Sequence, residues 1–137
     1  SLASFRLGYG IMHNSLALEI QKCMLPFNID SPSALAGHFL LDHMDHIKKT
    51  ISAIVDEREK LAIKLNALHG VKAWSSRTNF FMLETPLSPS VTFRKLAENG
   101  ILVRDISSYP LCEKVIRVTV GTAKENKRLY KIITNLL

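Results

Sequence analysis

A chain of 137 residues with 47% hydrophobic and 22% charged residues fits one ordinary folded domain, long enough to bury a reasonable core. No apolar run approaches the roughly 20 residues needed to span a bilayer, and Arg6, Gly8 and Gly10 interrupt any signal-peptide core, so no membrane partner is expected. The net charge of +6 is spread over lysines beside acids, with no basic block interleaved with aromatics, so no nucleic-acid partner is expected either.

Residues up to Ile11 read as a short strand. After His13-Asn14, Ser15 is placed to cap a helix over 16–25. Pro26-Phe27-Asn28-Ile29-Asp30-Ser31-Pro32 is the clearest break, with Ser31 as N-cap and Pro32 at the first helical position of the next element. Apolar residues then fall at Leu40, Met44, Ile47, Ile51, Ile54, Leu61, Leu65 and Leu68, in steps of four and three. Arg58 occupies the one skipped place. That stripe predicts a long helix closed by Gly70, and a break near 42–45 would divide it in two.

Beyond Gly70 the period changes to two. Residues 71–75 and Phe80–Glu84 read as strands joined by Ser76-Arg77-Thr78-Asn79. After a loop at 86–89, Ser90 is placed to cap a helix running to Glu98 and ended by Asn99-Gly100. Strands at 101–106 and 115–120 flank a loop at 107–113. Thr122 with Glu125 forms a capping box for a last helix that packs Leu129, Ile132, Ile133 and Leu136 on the sheet. The fold class that follows is α/β, a two-layer sandwich of a mainly antiparallel sheet with helices.

Three arginines stand in short apolar contexts: Arg6 in Ser4-Phe5-Arg6-Leu7-Gly8-Tyr9, Arg104 in Ile101-Leu102-Val103-Arg104-Asp105, and Arg117 in Val115-Ile116-Arg117-Val118-Thr119-Val120. A guanidinium is costly to bury and well shaped to grip a carboxylate or phosphate with two parallel hydrogen bonds. Arg117 shares a strand face with Val115 and Thr119, so it is either a solvated-face residue or a ligand-directed one. Arg104 shares its face with Leu102 and Ile106, so it either snorkels or is aimed at something. His43 and His46 have a chelating i, i+3 spacing but lie on the polar side of their helix, and no metal is expected. Cys23 and Cys112 lack ligand or redox spacing, which favours reduced thiols in a cytoplasmic protein. Tyr109 is either a site residue or a turn aromatic.

Taken in order, Leu2-Ala3-Ser4-Phe5-Arg6-Leu7-Gly8-Tyr9, Pro26-Phe27-Asn28-Ile29, Asp56-Glu57-Arg58-Glu59, Thr78-Asn79-Phe80-Phe81, Gly100-Ile101-Leu102-Val103-Arg104-Asp105, Ser108-Tyr109-Pro110 and Ile116-Arg117-Val118-Thr119-Val120-Gly121-Thr122 resemble the C-terminal part of fold-type I pyridoxal-phosphate enzymes. The resemblance covers essentially the whole chain and is strongest to the histidinol-phosphate aminotransferases. It implies that residues 1–30 end a large cofactor-binding domain and linker, and that residues 31–137 form the small domain. It also implies pyridoxal 5′-phosphate as cofactor, Arg6 as a ligand of the cofactor phosphate, Arg117 as the holder of the substrate α-carboxylate, and Arg104 as a second substrate-side arginine. The complete protein is expected to be a homodimer. The lysine to which the family attaches the cofactor would lie upstream of Ser1, so the 137 residues alone are expected to be inactive. Two other readings stay open: part of a related phosphoamino-acid decarboxylase, and a stand-alone non-catalytic α/β binding module. An apolar surface around Leu7, Tyr9 and the long-helix stripe is expected to promote self-association.

Overall fold

The computed structural model describes residues 3–137, which divide into two compact units, one ending at Lys49 and the other spanning Thr50–Leu137. In the first unit a single 3-10 turn at Ala3–Phe5 is followed by irregular chain, where a short strand was expected. The backbone here turns through a left-handed residue, Arg6, at φ 56, which an extended strand does not accommodate. Helix α1 spans Asn14–Lys22 and is capped by His13, whose ring nitrogen accepts from the Ser15 amide, two residues earlier than the expected Ser15 cap.

Helix α2 spans Ser31–Asp42. Its cap is Asp30, whose carboxylate accepts from both the amide and the hydroxyl of Ser33 at 2.8 and 2.9 Å. These two bonds, the amide's first, hold the Asp30 pKa below its ordinary value. Ser33 Oγ also lies 3.0 Å from the Phe5 carbonyl oxygen, tying the 3-10 turn to the start of α2. Helix α3 follows at Met44–Asn66, so the chain breaks at His43, within the segment where a division was expected. His43 turns back on α2, donating from Nδ1 to the Phe39 carbonyl at 2.7 Å and stacking on the Phe39 ring.

The second unit contains the rest of α3, the strands β1 (Lys72–Ala73), β2 (Phe80–Glu84), β3 (Arg104–Asp105) and β4 (Val115–Thr119), and the helices α4 (Pro89–Glu98) and α5 (Ala123–Leu136). The sheet order is β1-β2-β4-β3, and every pairing is antiparallel. Strands β1 and β3 are shorter than expected. Each is an edge strand and has a ladder partner on one side only. Helix α4 starts at Pro89 with Ser88 as cap, ahead of the expected Ser90. Gly70 and Gly100, at φ +72 and +73, make the left-handed turns that let α3 and α4 hand over to the next segment. The capping box of Thr122 and Glu125 is formed in full at the start of α5.

Period-two alternation sets the core. Phe81 and Leu83 of β2 and Ile116 and Val118 of β4 are all 1% exposed and meet Leu61, Leu65, Leu96, Leu129 and Ile133 of the helices. Burial of this one sheet face is the main source of the unit's stability. The opposite face is where the polar and charged residues of the strands project.

Candidate functional site

The register of the sheet brings two of the three expected site arginines together. Arg104 on β3 is the direct cross-strand partner of Arg117 on β4, and Met82 on β2 is the partner of Arg117 on its other side. Cross-strand partners share a sheet face, so Arg104, Arg117 and Met82 form one row on the face opposite the core. Arg104 is exposed and Arg117 is half-buried.

The electrostatics of this row are unbalanced. Among the described residues neither arginine has a carboxylate partner. Asp105, next to Arg104 in sequence, is engaged elsewhere: its Oδ1 accepts from Ser107 Oγ at 2.6 Å and from the Ser107 amide at 2.9 Å. Those two bonds, the hydroxyl's first, hold the Asp105 pKa below its ordinary value. The Nε of Arg117 is buried and has no hydrogen-bond partner among the described residues. Its guanidinium is placed instead by an aromatic platform, with the carbon centre 5.0 Å from the Phe80 ring. Two like charges side by side without a counterion are unfavourable in the sheet alone. They become favourable when an anion with two or three acceptor oxygens binds across them.

Trp74 stands beside β1 on the same face, 45% exposed, with Lys72 Nζ 3.6 Å from its ring. Leu102, next to Arg104 on that face, is 83% exposed, whereas Ile106 is buried. Tyr109 is exposed in the loop between β3 and β4, its amide donating to the Ile106 carbonyl. Two cavities of this unit lie elsewhere: about 280 Å³ between 100–103 and the start of α5, and about 260 Å³ between α3 and α5. These cavities offer space alone, whereas the arginine row carries charge without a carboxylate partner among the described residues.

The third arginine, Arg6, belongs to the first unit. It is exposed and carries a left-handed backbone, a conformation that strained functional positions often retain. A Cβ on nearby Gly8 would meet nothing within 4 Å, so the backbone beside Arg6 is open.

From sequence Met82 reads as core filler and Phe80 does not stand out, but Met82 is 36% exposed on the face that carries the arginines. Alternation along β2 would have put both on the face opposite Phe81 and Leu83, but only the register shows that this face carries the arginines.

Comparison with known proteins gives a consistent picture. Residues 1–133 match the family described as aminotransferase class I and II. The chain is similar to histidinol-phosphate aminotransferases of Ruminiclostridium cellulolyticum (36% identical, 98% of this chain and 38% of the relative) and Hydrogenobaculum sp. (34% identical, 98% and 39%). It therefore spans about two-fifths of the length of these curated relatives. Among solved structures, the histidinol-phosphate aminotransferase of Clostridium acetobutylicum aligns with a TM-score of 0.87 at 22% identity, covering 98% of this chain and 42% of that one. The L-threonine-O-3-phosphate decarboxylase of Porphyromonas gingivalis aligns with a TM-score of 0.78 at 22% identity, covering 92% and 40%. At these identities the two structures speak to the fold alone.

Proposed function

Because this chain belongs to the class I and II aminotransferases, we propose that the complete protein is a cytoplasmic, homodimeric, pyridoxal 5′-phosphate-dependent transaminase that moves an amino group between glutamate and histidinol phosphate or their keto counterparts. In this reading residues 1–30 end the large domain and residues 31–137 form the small domain. The observation that carries it is the Arg104–Arg117 pair, two guanidiniums in one cross-strand row with no carboxylate partner among the described residues. A transaminase of this substrate pair must hold a carboxylate in one half-reaction and a phosphate in the other. Rigid guanidinium forks serve both anions.

Arg117, steadied by Phe80, would hold the substrate carboxylate by two parallel hydrogen bonds. Arg104 would add the second positive charge that a phosphate dianion requires. Arg6, an exposed arginine in the segment that resembles the family's phosphate-binding one, would hold the phosphate of the cofactor. When bound, pyridoxal phosphate supplies the electron sink and carries the amino group between substrates. The residues of this chain orient anions. We expect no turnover from the 137 residues alone.

The test is an assay of the complete protein with histidinol phosphate and 2-oxoglutarate. Glutamate formation supports the proposal. Carbon dioxide release from threonine phosphate, without amino transfer, would instead favour the reading as a related phosphoamino-acid decarboxylase. Neither activity, with the protein folded and loaded with cofactor, would leave a non-catalytic binding module.

A further inference from the structure

Two sequence segments that the anion site does not use meet in the second unit. Arg58 of α3 falls on the buried stripe of its helix and is 6% exposed. Its Nη1 donates to the Thr78 carbonyl at 2.7 Å, and its Nε and Nη2 donate to Glu59 Oε1 at 3.1 and 2.8 Å. A buried guanidinium needs such partners, and a well-packed apolar side chain in its place would often be no less stable. Burying one here therefore calls for a reason other than stability.

The turn that Arg58 grips leads directly into Phe80. Three successive carbonyls of this turn are held from three directions. Arg58 takes that of Thr78, the Val120 amide takes that of Asn79 at 2.9 Å, and the hydroxyls of Ser76 and Thr78 take that of Phe80. Phe80 is thus fixed in place at its backbone, and its ring is the platform under Arg117, whose Nε has no hydrogen bond of its own to orient it. A chain of contacts runs from α3 through the turn to the anion-gripping guanidinium.

We propose that Arg58 is a positioning residue for anion recognition: by clamping the Thr78 carbonyl it sets the Phe80 ring, and through it the orientation of Arg117. This deepens the functional reading above and rests on it for the identity of the anion. A clamp of this kind acts on binding of the carboxylate and not on the chemical step, so its loss raises KM and leaves kcat nearly unchanged.

The experiment is a double-mutant cycle in the complete protein between Arg58→Met, which keeps bulk and removes the donors, and Phe80→Leu, which removes the platform. The readouts are KM and kcat for 2-oxoglutarate, the affinity for unreactive succinate by calorimetry, and the side-chain Nε–H signal of Arg117 in ¹⁵N-arginine-labelled protein. Arg58→Met is expected to raise KM and weaken succinate about 10-fold with kcat within about 2-fold, to shift the Arg117 signal, and to add nothing further once Phe80 is leucine. Arg58→Lys, which keeps one donor for the Thr78 carbonyl, is expected to restore affinity to within about 3-fold of the parent. Should Arg58→Met fail to fold, Arg58→Lys goes through the same cycle, and its smaller loss must again vanish on the Phe80→Leu background. A lowered melting temperature with unchanged KM, succinate affinity and Arg117 signal would overturn the proposal, as would effects of the two substitutions that simply multiply. A parent protein that neither transfers amino groups nor binds succinate would refute the functional reading. The Arg117 signal would still decide whether Arg58 positions it.

Discussion

The two faces of one strand do opposite work. On β4, Ile116 and Val118 point into the helical layer and are almost wholly buried, whereas Arg117 between them points the other way, half-buried and beside a second arginine. The same contrast divides the adjacent phenylalanines of β2: Phe81 is core, and Phe80 is the platform of a cation. The covered face gives up all polar chemistry for stability. The open face tolerates a like-charge pair because the covered face holds the sheet together.

The largest expected effect sharpens that contrast on the covered side. Phe81→Ala opens a cavity in a fully packed layer and should destabilise the protein by about 3–5 kcal/mol in denaturant unfolding. Phe80→Leu, one residue away, should change stability by less than about 1.5 kcal/mol while weakening carboxylate binding. Similar losses of stability from both would break the division between the faces.

On the open side, Arg117→Gln should lower kcat/KM of the complete protein by about 2–4 kcal/mol, roughly 30- to 1,000-fold. Its melting temperature should stay level or rise, because the substitution relieves repulsion from Arg104 and removes a buried Nε that lacks a partner. A marked loss of stability would mean that Arg117 is structural.

A smaller effect tests whether the pair binds anions at all. Inorganic phosphate at about ten times its dissociation constant should stabilise the protein by about 1.4 kcal/mol, a rise of a few degrees in melting temperature. Arg104→Gln should abolish most of that rise. An equal rise in the variant would place phosphate elsewhere, for example among Lys60, Lys64 and Lys127 at the cavity between α3 and α5.

Much of the fold was legible because its signals are local. The switch from the α3 stripe to period two, the left-handed glycines, and the Thr122–Glu125 box each need only a few neighbouring residues to read. The extent of β1 and β3 was not, because an edge strand lasts only as long as it stays paired with its one neighbour, and that pairing is set by register. The site shows the same limit. Arg104 and Arg117 could be singled out as guanidiniums in apolar strands, but only the ladder makes them neighbours. Arg58 looked like a gap in an apolar stripe. Its partner, the Thr78 carbonyl, is a backbone group 20 residues away that carries no side-chain signature.

The smallest effect concerns a device that belongs to neither face, the capping box at the start of α5. Thr122 Oγ1 accepts from the Glu125 amide, while the Glu125 carboxylate accepts from the amide and hydroxyl of Thr122, both at 2.7 Å. These bonds, the amide's first, favour the ionised carboxylate and hold the Glu125 pKa below its ordinary 4.5. A carboxyl whose folded pKa is depressed stabilises the protein above its unfolded pKa, and that contribution fades as the pH falls from about 4.5 through the lower folded value. Thr122→Ala removes the hydroxyl that accepts from one helix amide and donates to the carboxylate, and should cost about 1 kcal/mol at neutral pH. It should also flatten the acid limb, because the carboxylate loses a bond that favoured its charge. Since α5 packs Leu129 and Ile133 onto the covered face, the variant should leave succinate affinity unchanged. A parallel loss of affinity would show that the covered face communicates with the arginine row more strongly than the alternation of the strands implies.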